Sequence, residues 1–440
     1  MSMDRRAEAK AKIQKLEELL KQKTDLVSKD INPDTYLRYI PKKITYNTDG
    51  TIGGCQWSPE YVTHPSTTFI YAIIISEFEK TEEYQNTLVQ LSDLFYLERE
   101  RIQHLLNSFL MDAYGEKHRG DVDTLINDLE NKPSFWHITA RLYGVFPEAQ
   151  EMIISEGVVL RKVSKEDLTY EVPPFSFGFN RTVSLFPHSI LEISFTSPNP
   201  APVQQKVEKL TLVLSLFNGT CASFETYTMK PDSYGQFGGT LSKSTIPSQE
   251  PKRLIKESEL TDLTAFVSYF EPRIPEGAIF GEPLDPLEIA IKRYLESIRE
   301  NLPIEEKLTR AVMGLEALFL ENETELRFRL ALRVAQLLGY LNEDSLIVYN
   351  TVSEAYDFRS SHVHGSVLSP DQKGKANEVL KHLWRYLRKA ILIWIVEDVS
   401  SEKKKRALLK QIDGALINDT QRHGFKLKIE AEKTFLKGAI

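Results

Sequence analysis

The spacing of apolar positions changes character along the chain, and each regime predicts a different kind of element. Over 3–28, Ile13, Leu16, Leu20 and Val27 recur near a heptad spacing among Lys and Glu, which predicts an N-terminal helix with one buried face. That face would pack on the body of the protein or on a second copy. The continuous run FIYAIIIS at 69–76 predicts a buried strand. From Thr81 the period becomes helical, with Leu88, Leu91, Phe95, Ile102, Leu105 and Phe109 on one face. Shorter helices are expected at 121–130 and 133–144. Strands are then expected at 157–162, 190–196, 210–217 and 223–229, where LEISFT and LTLVLSLF alternate in the half-buried manner. The Pro/Ser/Gly-rich stretches 197–202 and 230–251 predict loops, the second long enough for a functional loop.

From Leu284 the pattern is almost purely helical, with helices expected at 284–300, 304–321, 325–341, 345–360 and 370–398. Short connections such as NLP and ENET make antiparallel neighbours, hence an up-and-down bundle. The last helix opens with SPDQ: Ser369 as N-cap, Pro370 at the first helical position and Gln372 closing a capping box. The fold class is α+β, a mixed region with strands followed by an all-α bundle. The expected division is 1–155, mostly helical with one buried strand; 156–280, β-rich; 281–398, the bundle; and 399–440, a basic tail. The two N-terminal regions together would sense or regulate.

Composition narrows the classes of function. A chain of 440 residues exceeds the usual single core. Its net charge of -7 gives no global signature for nucleic acid, so any such contact needs a local basic patch. The tail after Val399 is one place for it, with ten Lys/Arg against five Asp/Glu, although a solvated helix explains the same charges. Two distant cysteines, Cys55 and Cys221, exclude a disulfide scaffold or a cysteine zinc site and fit a reducing cytoplasm. The N-terminus lacks the apolar core of a secretory signal, and the run AILIWIV is too short to span a bilayer. A cytoplasmic protein without a membrane partner, metal or cofactor is expected. No P-loop, Rossmann glycine pattern or G-x-S-x-G is present.

Three charges fall on faces that should enter the bundle. Arg359 continues the series Val348, Val352, Ala355. Glu316 lies within the stripe Ile304, Leu308, Val312, Leu315, Phe319. Arg333 lies beside Leu326, Leu330, Val334, Leu337, Leu341. Removing one member of a buried pair costs about 3–5 kcal/mol, so Glu316 should pair with Arg333, Arg359 or both. An ion-pair network that fixes helix register would account for this much. The stretch DFRSSHVHGS at 357–366 adds His362 and His364 after Arg359, near the expected helix end at Ser360 or Ser361, with Gly365 to turn the chain. A histidine can move protons at neutral pH, and an arginine can neutralise a phosphate or a phosphorane. Together they supply what metal-free RNA cleavage needs.

RAVMGLEALFL, LRFRLALRVAQLLG and VSEAYDFRSSHVHGS, in that order, resemble the Apea-like branch of the HEPN superfamily, helical bundles that carry an R-x(4–6)-H motif. The resemblance covers 284–398. It implies a metal-independent endoribonuclease that acts as a dimer with a composite groove. It also implies cleavage by the RNA's own 2′-hydroxyl, leaving a 2′,3′-cyclic phosphate. Carried over, Arg359 is the phosphate or transition-state ligand, His364 the proton-transfer residue and Glu316 the group that orients Arg359. His362 and Arg333 are accessory candidates. Ser360, a further accessory candidate, stands where many versions of the motif carry Asn. That branch is associated with prokaryotic antiviral defence by abortive infection, with an N-terminal domain that responds to a phage-derived or other trigger.

Two other readings stand beside this one. A non-catalytic scaffold would need the Arg–Glu pair but has no use for a histidine beyond the helix end. The toxin half of a toxin–antitoxin pair would share the chemistry and differ in its regulation. Elsewhere, His118 is read as a surface turn, His137 as a satisfied core residue on an apolar helix, and His64, His104 and His188 have no metal-ligand spacing.

Overall fold

A computed structural model describes residues 3–27, 34–47, 52–64, 74–114, 121–168, 170–172, 186–198, 201–217, 219, 221–234, 239–242, 252–282, 285–299, 302–321, 324–365 and 368–436. The architecture is α+β, with strands in the N-terminal part and, among the described residues, helices alone from Pro286 onward. No helix among the described residues is long and apolar enough to cross a membrane.

The first core is helical. The helices α1 (Met3–Val27), α2 (Glu82–Phe95), α3 (Arg99–Tyr114) and α4 (Val122–Leu129) close around Ile13, Leu16, Leu20, Leu88, Leu91, Ile102, Leu105 and Phe109. The heptad-like face of α1 therefore packs within the chain, as the first of its two sequence readings held. The long helical pattern after Thr81 breaks at Tyr96, whose φ of 56° is left-handed. Ile74–Ser76, the end of the run read as a strand, are helical. The rest of that run and His118 lie outside the described residues.

The second core joins sheet and bundle. Six antiparallel strands are ordered β10-β9-β3-β8-β6-β5. They are β3 (Ser134–Tyr143), β5 (Glu151–Ser155), β6 (Val158–Arg161), β8 (Ser189–Ser197), β9 (Ser223–Asp232) and β10 (Gly239–Ser242). Short β4 (Val145–Pro147) pairs in parallel with β11 (Arg253–Ile255). A separate sheet holds β1 (Asp34–Tyr46), β2 (Ile52–His64) and β7 (Tyr170–Val172). Two expectations are corrected. The stretch 133–144, read as a helix, contains β3, because Trp136, Ile138, Ala140 and Leu142 alternate inward. His137 is accordingly exposed on that strand, with Ser194 Oγ 3.3 Å from its Nδ1. The stretch 210–217, read as a strand, lies mostly in α5 (Ala201–Leu216). Leu210, Leu212, Val213, Leu214 and Leu216 are all fully buried, and a helix buried all round has no polar face to reveal its period. Within the region read as a long loop, 230–232 extend β9 and 239–242 form β10, while 235–238 and 243–251 lie outside the described residues.

After α6 (Leu260–Phe270) come five bundle helices: α7 (Pro286–Arg299), α8 (Ile304–Phe319), α9 (Leu326–Gly339), α10 (Ser345–Val363) and α11 (Pro370–Val396). The Ser369–Gln372 capping box starts α11 as expected. Gly314 of α8 lets α11 approach closely: a Cβ there would lie 2.7 Å from Leu387 Cδ2. The basic tail is two helices, α12 (Glu402–Ile417) and α13 (Asp419–Glu432). They are not simply solvated, since Leu408, Leu409, Ile412, Phe425 and Ile429 join the bundle core. That one buried cluster runs from Trp136 to Leu436. The N-terminal part, read as dividing at 155, thus has its cores divided between Leu129 and Trp136.

Candidate functional site

The site is built at the end of α10. Asp344 caps its start by accepting from the amides of Leu346 and Ile347. Val348, Val352 and Ala355 then bury one stripe, and the next position on that stripe is Arg359. Its guanidinium Nη2 donates to Glu316 Oε2 of α8 at 3.5 Å, with the arginine side chain 27% exposed. This contact is at the long limit of a hydrogen bond, so the pair is loose. Nε of Arg359 is buried and makes no hydrogen bond. The guanidinium carbon lies 5.8 Å from the centre of the Tyr356 ring, one turn earlier. Burial pushes the Glu316 carboxyl above its ordinary range, and the Arg359 cation offsets only part of this.

The helix runs past the expected end at Ser360 or Ser361, as far as Val363. The added turn decides which residues share a face. His362 is three residues from Arg359 and lies on its side of the helix. His364 is five residues away, turned by roughly 140°. It is the C-cap, exposed, with its amide donating to Ser360 O at 3.1 Å. Gly365, at φ 82°, then takes the chain out of the helix. His362 acts on the start of α8. Burial raises the Glu305 carboxyl, but its own amide, the Lys373 ammonium and the His362 charge outweigh this, leaving it below the usual carboxylate range. Lys373 Nζ is 3.3 Å from Glu305 Oε1.

Arg333 is placed elsewhere. It is 4% exposed and bonds Asp413 of α12 in bidentate fashion, Nε to Oδ1 at 2.8 Å and Nη2 to Oδ2 at 2.7 Å. It also donates to Phe319 O at 2.7 Å. Of the two partners open to Glu316, the structure selects Arg359. It brings together Glu316, Arg359 and Tyr356, sets Ser360 and His362 on the following turn, and leaves His364 at the exposed tip. No group of three or more His, Cys, Asp or Glu that could hold a metal ion occurs among the described residues.

Sequence reasoning missed the aromatic surroundings. An open cavity of about 540 Å³ lies beside the site, lined by Glu325, Leu326, Arg327, Phe328, Tyr349 and Tyr356. Phe328 is 50% exposed, and its ring meets Tyr349 edge-on at 6.4 Å. Arg327 pairs with Asp357 at 2.8 Å. The available signals were Phe328 off the apolar stripe of α9 and the seven-residue spacing of Tyr349 and Tyr356. No family model, curated protein or solved structure matches the chain.

Proposed function

We propose that the chain is a metal-independent endoribonuclease of the HEPN type, an effector of antiviral defence that acts in the cytoplasm as a homodimer. The observation that supports this reading most is the state of Arg359. Its guanidinium is half-buried on a helix face, held loosely by one carboxylate, and keeps an unpartnered Nε and part of its surface open. An arginine devoted to structure resembles Arg333 instead, with two short bonds to one carboxylate and a third to a carbonyl. Arg359 can therefore donate to a phosphate oxygen without first breaking a strong pair.

In the proposed reaction a histidine takes the proton of the RNA 2′-hydroxyl. The 2′-oxygen attacks the adjacent phosphorus, the bond to the 5′-oxygen breaks, and that oxygen leaves with a proton. The products are a 2′,3′-cyclic phosphate and a 5′-hydroxyl. Arg359 neutralises the charge that grows on the phosphorane, Glu316 sets its orientation, and His364 transfers a proton. Because His364 is turned away from Arg359 on its own helix, a groove shared with a second copy suits the chemistry better than one chain alone. The sheet-bearing region would carry the response to a trigger.

The scaffold reading keeps one point in its favour: Arg359 and His364 of one chain do not face each other. Cleavage of total RNA in EDTA separates the two. His364→Ala should slow it by about 10²- to 10⁴-fold and Arg359→Ala by about 10²- to 10³-fold. A scaffold gives no cleavage by any form.

A further inference from the structure

We infer that the open aromatic groove between the start of α9 and the face of α10 is a stacking site for one unpaired RNA base, whose phosphate lies on Arg359. The inference rests on the nuclease reading and names a substrate subsite for it.

Three observations carry it. Phe328 lines the cavity and is half exposed, so its ring is open to a ligand there. Tyr349 and Tyr356 line the same cavity from α10, and both pack partly against the core, which makes the floor rigid. A surface that offers π-faces on a fixed support suits a planar, uncharged ring.

The charges divide the nucleotide between groove and arginine. Glu325 places a carboxylate in the lining, and the cation there, Arg327, is already paired with Asp357. Phosphate is disfavoured inside the groove, whereas a neutral base is not. Beside the groove, Tyr356 lies 5.8 Å from the Arg359 guanidinium carbon, within the span of a single nucleotide. The base stacks on the aromatic rings while its phosphate meets the guanidinium. An unpaired base is required, because a base held in a duplex cannot offer both faces to side chains. The site therefore favours single-stranded RNA over double-stranded RNA.

The test measures binding without cleavage. The probe is a fluorescein-labelled 2′-O-methyl oligoadenylate, which has no free 2′-hydroxyl to attack. It is compared with the same strand carrying abasic positions, on the full chain and on its Phe328→Ala and Phe328→Trp variants. Phe328→Ala should weaken binding of the oligoadenylate by about ten- to a hundredfold, the loss of one base stack. Phe328→Trp should keep binding near wild type, and the abasic strand should bind all three forms alike. Thermal denaturation of Phe328→Ala should match wild type, since the ring lies outside the core.

Equal binding of oligoadenylate by wild type and Phe328→Ala overturns the stacking site, and continued RNA cleavage by wild type would leave the nuclease reading standing. An equal loss on the abasic strand also overturns it. If Phe328→Ala converts a dimer to a monomer, a second copy covers the groove and the inference fails. If wild type neither binds the probe nor cleaves RNA, the inference and the nuclease reading fall together.

Discussion

At the scale of single residues, the Glu316–Arg359 pair keeps a carboxylate where burial disfavours it. A carboxyl whose folded pKa is raised stabilises the fold below its unfolded pKa, and that contribution is lost as pH rises through the folded value. Glu316 is such a group. Glu316→Gln should therefore melt at or above the wild-type temperature at neutral pH, with the difference shrinking in acid. The same variant should lose RNA cleavage, because Arg359 would no longer be oriented. A fall in melting temperature at neutral pH would show that the pair contributes to stability. The sequence made this pair legible because Arg359 extends an apolar stripe and Glu316 interrupts another. It could not choose between Arg333 and Arg359, since the partner of Arg333 lies on α12, a helix read as solvated tail. Nor did it show how His364 is oriented, which depends on α10 running to Val363.

At the scale of elements, the bundle was the most legible part. The expected helices match α7 to α11 to within a few residues, because their apolar positions recur at helical spacing and their ends carry clear boundary signals, such as Pro303 before α8 and the Ser369 box before α11. The failures came where burial removed the contrast between faces. LTLVLSLF is buried on every side because α5 is packed between the sheet and the helical segment that begins with α6, and an isolated run of that kind fits strand and helix equally. The stretch SFWHITARLY has enough apolar residues for either period, and its pairing with β8 and β9 decides the matter. Docking of the tail gives a testable asymmetry. Asp413→Ala leaves the 4% exposed Arg333 without its carboxylate and should cost about 3 kcal/mol. Arg333→Met removes the buried charge and leaves a carboxylate already 43% exposed, so it should cost less. Urea denaturation of both variants checks the order, and the reverse order would contradict it.

At the scale of the whole molecule, the sheet region and the bundle are parts of one packed body. Arg388 of α11 donates to Leu216 O at the end of α5 at 2.9 Å, and Cys221 Sγ donates to Ile298 O of α7 at 3.0 Å. The tail is tied down differently. Burial and the neighbouring Glu397 carboxylate push the Glu432 carboxyl up to about 8, while Lys428 holds Glu397 at 2.5 Å. Because the folded pKa lies above the ordinary 4.5, the stabilising effect is complete below 4.5 and is lost as pH rises towards 8. The melting temperature of the wild type should fall across that window, and Glu432→Gln should flatten the fall. An unchanged slope in Glu432→Gln would assign the pH dependence to another group.

The central claim is that the chain cleaves RNA through the RNA's own 2′-hydroxyl, and the chemistry of the cut ends tests it most directly. Total RNA incubated in EDTA with the full chain should yield fragments ending in 2′,3′-cyclic phosphate and beginning with 5′-hydroxyl, and His364→Ala should yield almost none. Fragments with 3′-hydroxyl and 5′-phosphate ends, or equal cleavage by wild type and His364→Ala, would contradict the account.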